Sequence, residues 1–339
     1  KIELVRDGSN LSFGIRWDFL DPRAERPVVE FVPVRPDEYE QKVTGYVPAS
    51  FKHQFSPRLS FAGPVGPSSF FFVNFGHYFQ FPLFEYLYSG IHPAELRTGV
   101  RNVLTGNPDL APERSSAWEM GFKHGFGQDV VLSIAYFRKS FKNQIDSKTL
   151  IPADSKAAGD FGFASYVNNA EAQAEGIELV ISSEQQRPVS GSVSYAYMVT
   201  EGISEYADQS LNYSQWGFPL PVRPFPLSWD QRHSAKADLL TRLPGDIELN
   251  TIIVYHTPRP YTYYPTRDGF TPAHPEKTFL PNNARMEDVL FINVKMSREL
   301  QWGEGQRHRA VLFMDARNVL NRRNVRWMDS SGRVGGELG

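Results

Sequence analysis

Cysteine is absent from the 339 residues. That excludes disulfide frameworks and thiolate metal sites, and it suits a protein exposed to an oxidising compartment. Net charge is nearly absent too, because 36 Lys+Arg against 38 Asp+Glu leave −2. A general nucleic-acid binder carries a basic excess, so nucleic acid is not an expected partner. Long apolar runs are missing. The best candidate, Phe70–Tyr88, is broken by Asn74, Gly76, His77, Gln80, Pro82 and Glu85, which leaves no uncharged span of about 18 residues for a membrane helix. Catalytic signatures are missing as well: there is no Gly-x-Ser-x-Gly, no His-Glu-x-x-His and no Walker loop. His53, His77, His92, His124, His233, His256, His274 and His308 are scattered without a close ligand pair. The expectation is a non-enzyme with no catalytic residue, no metal and no cofactor.

What the chain has in plenty is aromatic residues, with 25 Phe and 15 Tyr, and a rhythm of short and long connections. Tight turns fall at Arg6–Asn10, Gly63–Ser68, Gly125–Asp129, Glu184–Val189, Leu243–Asp246 and Gly303–Gln306. Long polar or aromatic connections fall at 19–54, 79–114, 140–175, 201–231 and 257–288. The segments between them read as about twelve strands in an antiparallel meander. Short helical propensity appears only at Ala153–Gly159 and Glu171–Gly176.

The two faces of these strands differ. Leu11, Phe13, Ile15, Trp17 and Phe19 alternate with Ser12, Gly14, Arg16 and Asp18. Val193, Tyr195, Tyr197 and Val199 alternate with Ser192, Ser194, Ala196, Met198 and Thr200. One face is bulky and apolar, while the other is small or polar. A soluble sheet with one packed face gives such alternation. A transmembrane barrel gives it with short turns at one end and long loops at the other. Nine residues rise about 30 Å, which at a tilt of about 40° covers the 25 Å apolar band of such a barrel. The fold expected is all-β, an antiparallel up-and-down transmembrane β-barrel seen in part, with short periplasmic turns and long extracellular loops.

Several segments, in order, then resemble one family. Gly106-Asn-Pro-Asp-Leu-Ala-Pro-Glu-Arg114 is similar to the Asn-Pro-x-Leu-x-Pro-Glu stretch of TonB-dependent outer-membrane receptors, with Asn107, Pro108, Leu110, Pro112 and Glu113 matching. Trp118–Lys123 follows as the expected strand, and Ser56–Leu59 with Gly76–Pro82 fits the strand pair before it. Glu175-Gly-Ile-Glu178 resembles the family's Gly-x-Glu strand start, through Gly176 and Glu178. Asp230-Gln-Arg-His233 resembles its strand opening, through Asp230, Arg232 and His233. Asn318-Val-Leu-Asn321 resembles its Asn-Leu-x-Asn element. The loop Pro258–Pro265 resembles the subgroup with a carboxypeptidase-regulatory-like N-terminal domain.

The resemblance implies that residues 1–339 are a partial receptor barrel from the Gram-negative cell outer membrane. The plug, the TonB box, the N-terminal barrel strands and the last strand would then lie outside these residues, and both ends are expected to be cuts in a longer protein. It implies TonB-energised uptake of a scarce ligand, this piece supplying lumen wall and outer loops. The implied partners are outer-membrane lipid and lipopolysaccharide, an unknown extracellular ligand, and the TonB complex through the missing plug. A passive porin, an outer-membrane adhesin and a secreted soluble β-protein binding glycans are the alternatives. The motif residues are expected to be structural, with Asp230 and Arg232 bonding loop backbone. Trp216, Phe218, Arg259, Tyr261, Tyr263, Tyr264 and Phe270 lie in outward connections, where aromatic rings either stack on a ligand or pack on each other.

Overall fold

The computed structural model describes residues 2–35, 38–92, 104–127, 129–150, 163–183, 187–267, 273, 279–303, 305 and 308–338. Twelve strands form the path of one antiparallel sheet. In chain order they are β1 (Ile2–Arg6), β2 (Ser9–Leu20), β5 (Lys52–Pro64), β6 (Ser69–Gln80), β8 (Glu113–Phe126), β9 (Val130–Leu150), β10 (Phe163–Ser183), β11 (Val189–Gly202), β13 (His233–Leu243), β14 (Ile247–His256), β17 (Val289–Trp302) and β18 (His308–Ala316). Each pairs with the next along that path, so the meander expected from the sequence is the fold. β1 and β18 are its edges among the described residues.

The turn end is built by local chemistry. At Asp7-Gly8 both residues take positive φ, 49° and 77°, the two-residue geometry that matches strand twist and that Asp-Gly favours. Gly245 and Asp246, at 82° and 57°, close the β13–β14 turn in the same region of backbone space. The other end carries small additions: the hairpin β3 (Glu25–Arg35) and β4 (Glu38–Pro48), the helices α1 (Phe84–Tyr88) and α2 (Gln209–Gln215), the short strands β7 (Leu104–Thr105), β12 (Phe225–Pro226), β15 (Pro260–Tyr261) and β16 (Ala284–Arg285), and the hairpin β19 (Asn324–Met328) and β20 (Val334–Leu338).

Three expectations need correction. Residues 140–175 are not a long connection, because β9 runs to Leu150 and β10 starts at Phe163. For the same reason Glu171–Gly176 is strand rather than helix, and Gly176 lies in the middle of β10 rather than at a strand start. The two strands pair with each other up to Leu150 opposite Phe163, and that ladder overrides a weak local propensity. Ala153–Gly159 and Phe270 lie outside the described residues. The helices that do form, α1 and α2, sit in connections read from sequence as irregular.

Register sorts the strands into two faces, one of large apolar rows and one that is mixed. One row across the sheet reads Phe71, Phe122, Ile134, Leu179, Tyr195, Ala235, Tyr255 and Leu290, each directly opposite the next. The row shifted by one residue reads Phe70, Lys123, Ser133, Val180, Ser194, Lys236, Val254 and Phe291. Large apolar side chains on the first face remain exposed, among them Phe13, Ile15, Trp17, Trp118, Ile134 and Ile181. Among the described residues no helix is long and apolar enough to cross a membrane, and strands are the element that spans a bilayer in a barrel.

Aromatic residues mark both margins of this apolar face. Near the loops, Trp17 stacks on Phe55 at 6.2 Å and Phe19 on Phe51 at 6.0 Å. Near the turns, His124 meets Phe126 edge-on at 4.5 Å. From Trp118 to Phe126 the strand rises about 27 Å, or roughly 20 Å along the barrel normal once tilted. Interfacial rings belong at such margins because one edge stays wet. An Ile134→Arg substitution, midway between them, should cost about 2–4 kcal/mol in equilibrium unfolding from lipid vesicles. Ser133→Arg, on the inner face, should cost much less, and equal penalties would contradict the assignment of faces.

Candidate functional site at the loop end

Among the described residues, burial concentrates at the loop end, in the connections and in the upper parts of β9 and β10. Leu87 of α1, Leu110, Ile145 of β9 and Tyr166 of β10 form one cluster, flanked by Leu20, Tyr86 and Tyr88. Ala172, Phe225 and Leu227 form a second against Phe141. These two small cores pack the β6–β8 and β11–β13 connections on the tops of β9 and β10.

The Asn-Pro segment is the first brace. Asn107 donates to the Tyr166 carbonyl at 3.0 Å and accepts the Asp109 amide at 3.1 Å. Asn168 of β10 accepts the Ala111 amide at 2.8 Å and donates to the Ala111 and Asn143 carbonyls. One asparagine side chain thereby replaces a strand ladder where the prolines cannot donate. Leu110 is buried in the first cluster and Pro108 is fully enclosed. Glu113 opens β8 and accepts the Ile145 amide at 3.2 Å.

Asp109 extends this brace to the preceding connection. Its carboxylate accepts from Ser50 N–H at 3.0 Å, from the Ser50 hydroxyl at 2.7 Å, and from Lys52. Burial works against the charge, but the bonds from Lys52 and Ser50 hold the Asp109 carboxyl down at about 2. A carboxylate depressed on folding contributes stability above its unfolded pKa, near 3.8, and loses it as pH falls towards 2.

The second brace joins 203–232 to the sheet. Buried Asp146 of β9 accepts the Ser210 amide at 3.0 Å and its hydroxyl at 2.6 Å, while Ser147 Oγ accepts the Leu211 amide at 2.8 Å. The start of α2 is thus capped from another strand, since Asp208 at its N-cap makes no capping bond. Asp230 is the third brace and is fully buried. Its Oδ1 accepts the Thr200 amide at 2.8 Å, and its Oδ2 pairs with Arg232 at 2.9 Å and Arg285 at 2.5 Å. The expected bonding to loop backbone takes another form, because Thr200 belongs to β11. Asp230 does bind backbone, but Arg232 binds the carboxylate, and Arg285 takes the carbonyls of Asp230 and Pro258. Once Asp230 is buried, its charge demands paired cations. His233 starts β13 and turns to Tyr195, 2.8 Å from its hydroxyl.

The aromatic loop residues divide into two groups. Phe218 stacks on Phe279 at 4.2 Å, and Tyr264 meets both rings edge-on at 4.9 and 5.3 Å. Tyr213 closes this box against Phe279 at 5.1 Å. Trp216 remains 60% exposed and Tyr263 37% exposed, while Tyr261 and Arg259 are partly covered. Asn318 and Asn321 turn the chain after β18 with positive φ of 47° and 49°. Asn318 accepts the Arg322 amide at 3.2 Å. Gly176 is required by close approach, since a Cβ there would lie 2.3 Å from the Tyr197 carbonyl oxygen. Glu178 lies on the lumen side, in a cavity with Lys139 and Trp229. Sequence reasoning missed Asn168, Asp146, Glu205, Asn282 and Arg285. No local pattern marks them, because each acts on a segment distant in the chain. No group of three potential metal ligands occurs among the described residues.

A lipid-facing meander with a polar inner face, tight turns at one end and braced loops at the other is wall from an outer-membrane β-barrel. The family model for the TonB dependent receptor-like β-barrel matches residues 5–275, and the chain belongs to that family. Its place is the outer membrane of Gram-negative bacteria. Solved structures share the fold. The ferric-catecholate import receptor Fiu from E. coli K12 is 13% identical with a TM-score of 0.57, the match covering 96% of this chain and 40% of that one. The ferric enterobactin receptor PfeA from Pseudomonas aeruginosa is 17% identical with a TM-score of 0.58, covering 98% and 40%. The outer-membrane transporter YddB from E. coli is 12% identical with a TM-score of 0.62, covering 98% and 50%. This chain thus spans half or less of the length of these proteins. A search of curated proteins by sequence found no match.

Two measurements check the braces. Asp230→Asn, which strands Arg232 and Arg285, should destabilise the loop end by about 3 kcal/mol, the low end for a broken buried pair because both guanidiniums are partly wet. Thermal unfolding and trypsin cleavage within 203–232 would report it. Protease sensitivity of 21–51 should rise as pH falls from about 4 to 2, and Lys52→Met should raise it already at neutral pH.

Proposed function

We propose that this chain supplies lumen wall and outer loops to a receptor that takes up a scarce ligand using energy passed through TonB. The observation that supports this most is the match to the TonB-dependent receptor β-barrel over residues 5–275. The braced loop end is consistent with it, because a surface that must bind selectively benefits from loops held in place. The ferric-catecholate and ferric enterobactin receptors among the solved structures are described as importing or binding iron chelates. At 13% and 17% identity the chemistry of their ligands does not transfer.

In this reading Trp216, Phe218, Arg259, Tyr261, Tyr263 and Tyr264 form the ligand-facing set. Phe218 and Tyr264 contribute by fixing the two loops to each other through the aromatic box. Trp216 and Tyr263 offer exposed rings. Outer-membrane lipid and lipopolysaccharide surround the apolar face, and TonB engages through the plug of the parent protein. No chemistry on the ligand is part of the reading.

The test is growth on a panel of sole nutrient and iron sources. A strain lacking the full-length gene should lose use of a specific source, and depletion of TonB should produce the same loss. Growth restored by the gene in a TonB-depleted strain would instead establish a passive channel. Trp216→Ala with Tyr263→Ala should weaken uptake about tenfold through lost stacking, without changing receptor abundance.

A further inference from the structure

Register places three cations on the outward face at the loop-end margin. Arg114 of β8 lies directly opposite Lys142 of β9, and Arg138 of β9 lies directly opposite Trp118. All three alternate in step with Trp118, Phe122 and Ile134, so they belong to the lipid-facing side, and all three are exposed. Arg114 stands four residues beyond Trp118, a rise of about 13 Å, or roughly 10 Å along the barrel normal. That carries it out of the apolar band to the level of the headgroups, which add about 5–8 Å on each side of the hydrocarbon.

The arrangement of these charges is costly as it stands. Like charges directly opposite each other in a ladder repel, because their Cβ atoms are only about 5 Å apart. Among the described residues neither Arg114 nor Lys142 forms a salt bridge, and the Arg114 guanidinium lies 5.9 Å over the Phe79 ring. Arg138 approaches Glu175 at 3.9 Å. The further acids of this face, Glu171 and Glu201, lie on β10 and β11 and bound the patch on that side. Between the cations the side chains are small. Ser116 lies opposite Ser140, and the Ser116 hydroxyl is engaged by His77 at 2.9 Å. This row is about 7 Å along the strand from the cations above and below it, within reach of arginine and lysine side chains.

We propose that this patch binds a phosphate group carried by an outer-leaflet lipid, lipopolysaccharide being the source. Charge complementarity calls for an anion, and continuity with the lipid face calls for one presented by the membrane rather than by solvent. Arg114 and Lys142 hold the phosphate from above, Arg138 holds it from below, and the Ser140 hydroxyl donates between them. The phosphate turns two opposed cations into a bridged pair. Lipid that only surrounds the apolar face needs none of these groups. The inference depends on the outward face meeting lipid and is independent of energised uptake.

The test uses the purified full-length receptor in detergent. Diphosphoryl lipid A and its dephosphorylated form are titrated, with inorganic phosphate as competitor and the thermal midpoint as a second readout. Diphosphoryl lipid A should bind saturably, more weakly as salt rises, and should raise the midpoint. The dephosphorylated lipid should bind at least about tenfold more weakly, the scale of one hydrogen bond to a charged group. Arg114→Gln and Lys142→Gln should each weaken binding about tenfold on the same scale. Each should leave the lipid-free midpoint unchanged or higher, because the opposed charges are relieved, whereas a purely structural role would lower it. Lys123→Gln removes a cation from the inner face and should leave binding unchanged. If a variant fails to fold, the comparison of the two lipids on the unaltered receptor still decides. Four outcomes overturn the proposal: equal binding of the dephosphorylated lipid, binding insensitive to both outward variants, the same loss with Lys123→Gln, or displacement by inorganic phosphate at equal concentration, which would mark a site for the free ion.

Discussion

Inside a bilayer no water is present to bond a bare amide or carbonyl, so every backbone group at that depth must pair with another strand. This requirement organises the whole chain. It explains why consecutive strands pair along a single path from β1 to β18, why the turns are as short as strand twist permits, and why helices appear only beyond the apolar band. It also explains the glycine at 176, where the ladder brings a neighbouring carbonyl to a distance no side chain tolerates.

Once the ladder is fixed, side-chain chemistry follows from which solvent each face meets. The outward rows carry Phe, Ile, Leu, Val and Tyr exposed to lipid, and aromatic pairs mark the two margins. A compact core is then unnecessary within the sheet. Burial shifts to the loop end, where Leu87, Leu110, Tyr166, Phe225 and Leu227 provide what hydrophobic packing the connections have. Those cores are small, so polar braces do the positioning. Asn107, Asn168, Asp146 and Asp230 each satisfy backbone groups that no strand or helix reaches. A buried carboxylate used this way is costly unless its oxygens are filled, and at Asp230 two arginines and the Thr200 amide fill them.

The strands were legible because alternation is local. Leu11 to Phe19 announces a two-faced strand without reference to anything else, and Asp7-Gly8 announces its turn. The upper halves of β9 and β10 were not legible in the same way. Glu171–Gly176 has a weak helical preference, and only its partner strands, with Phe141 and Gly202 on either side of Ala172, make it extended. The loop end was harder still. The Asn-Pro motif could be seen, but Asn168, the residue it is clamped by, lies 57 positions beyond Ala111 in the chain. Phe218 and Tyr264 could be named as loop aromatics, while their packing on Phe279 depended on two connections meeting.

The sequence alone therefore determined an antiparallel meander with unlike faces and unlike ends, and its ordered motifs resembled one receptor family. It did so because period-two alternation and turn chemistry are properties of neighbouring residues. Tertiary structure alone decided how the loops are held, which carboxylates are paired with arginine, and that Arg114 and Lys142 stand opposite each other across β8 and β9. Those facts are contacts between segments brought together by the sheet, and no short stretch of sequence encodes the distance between them.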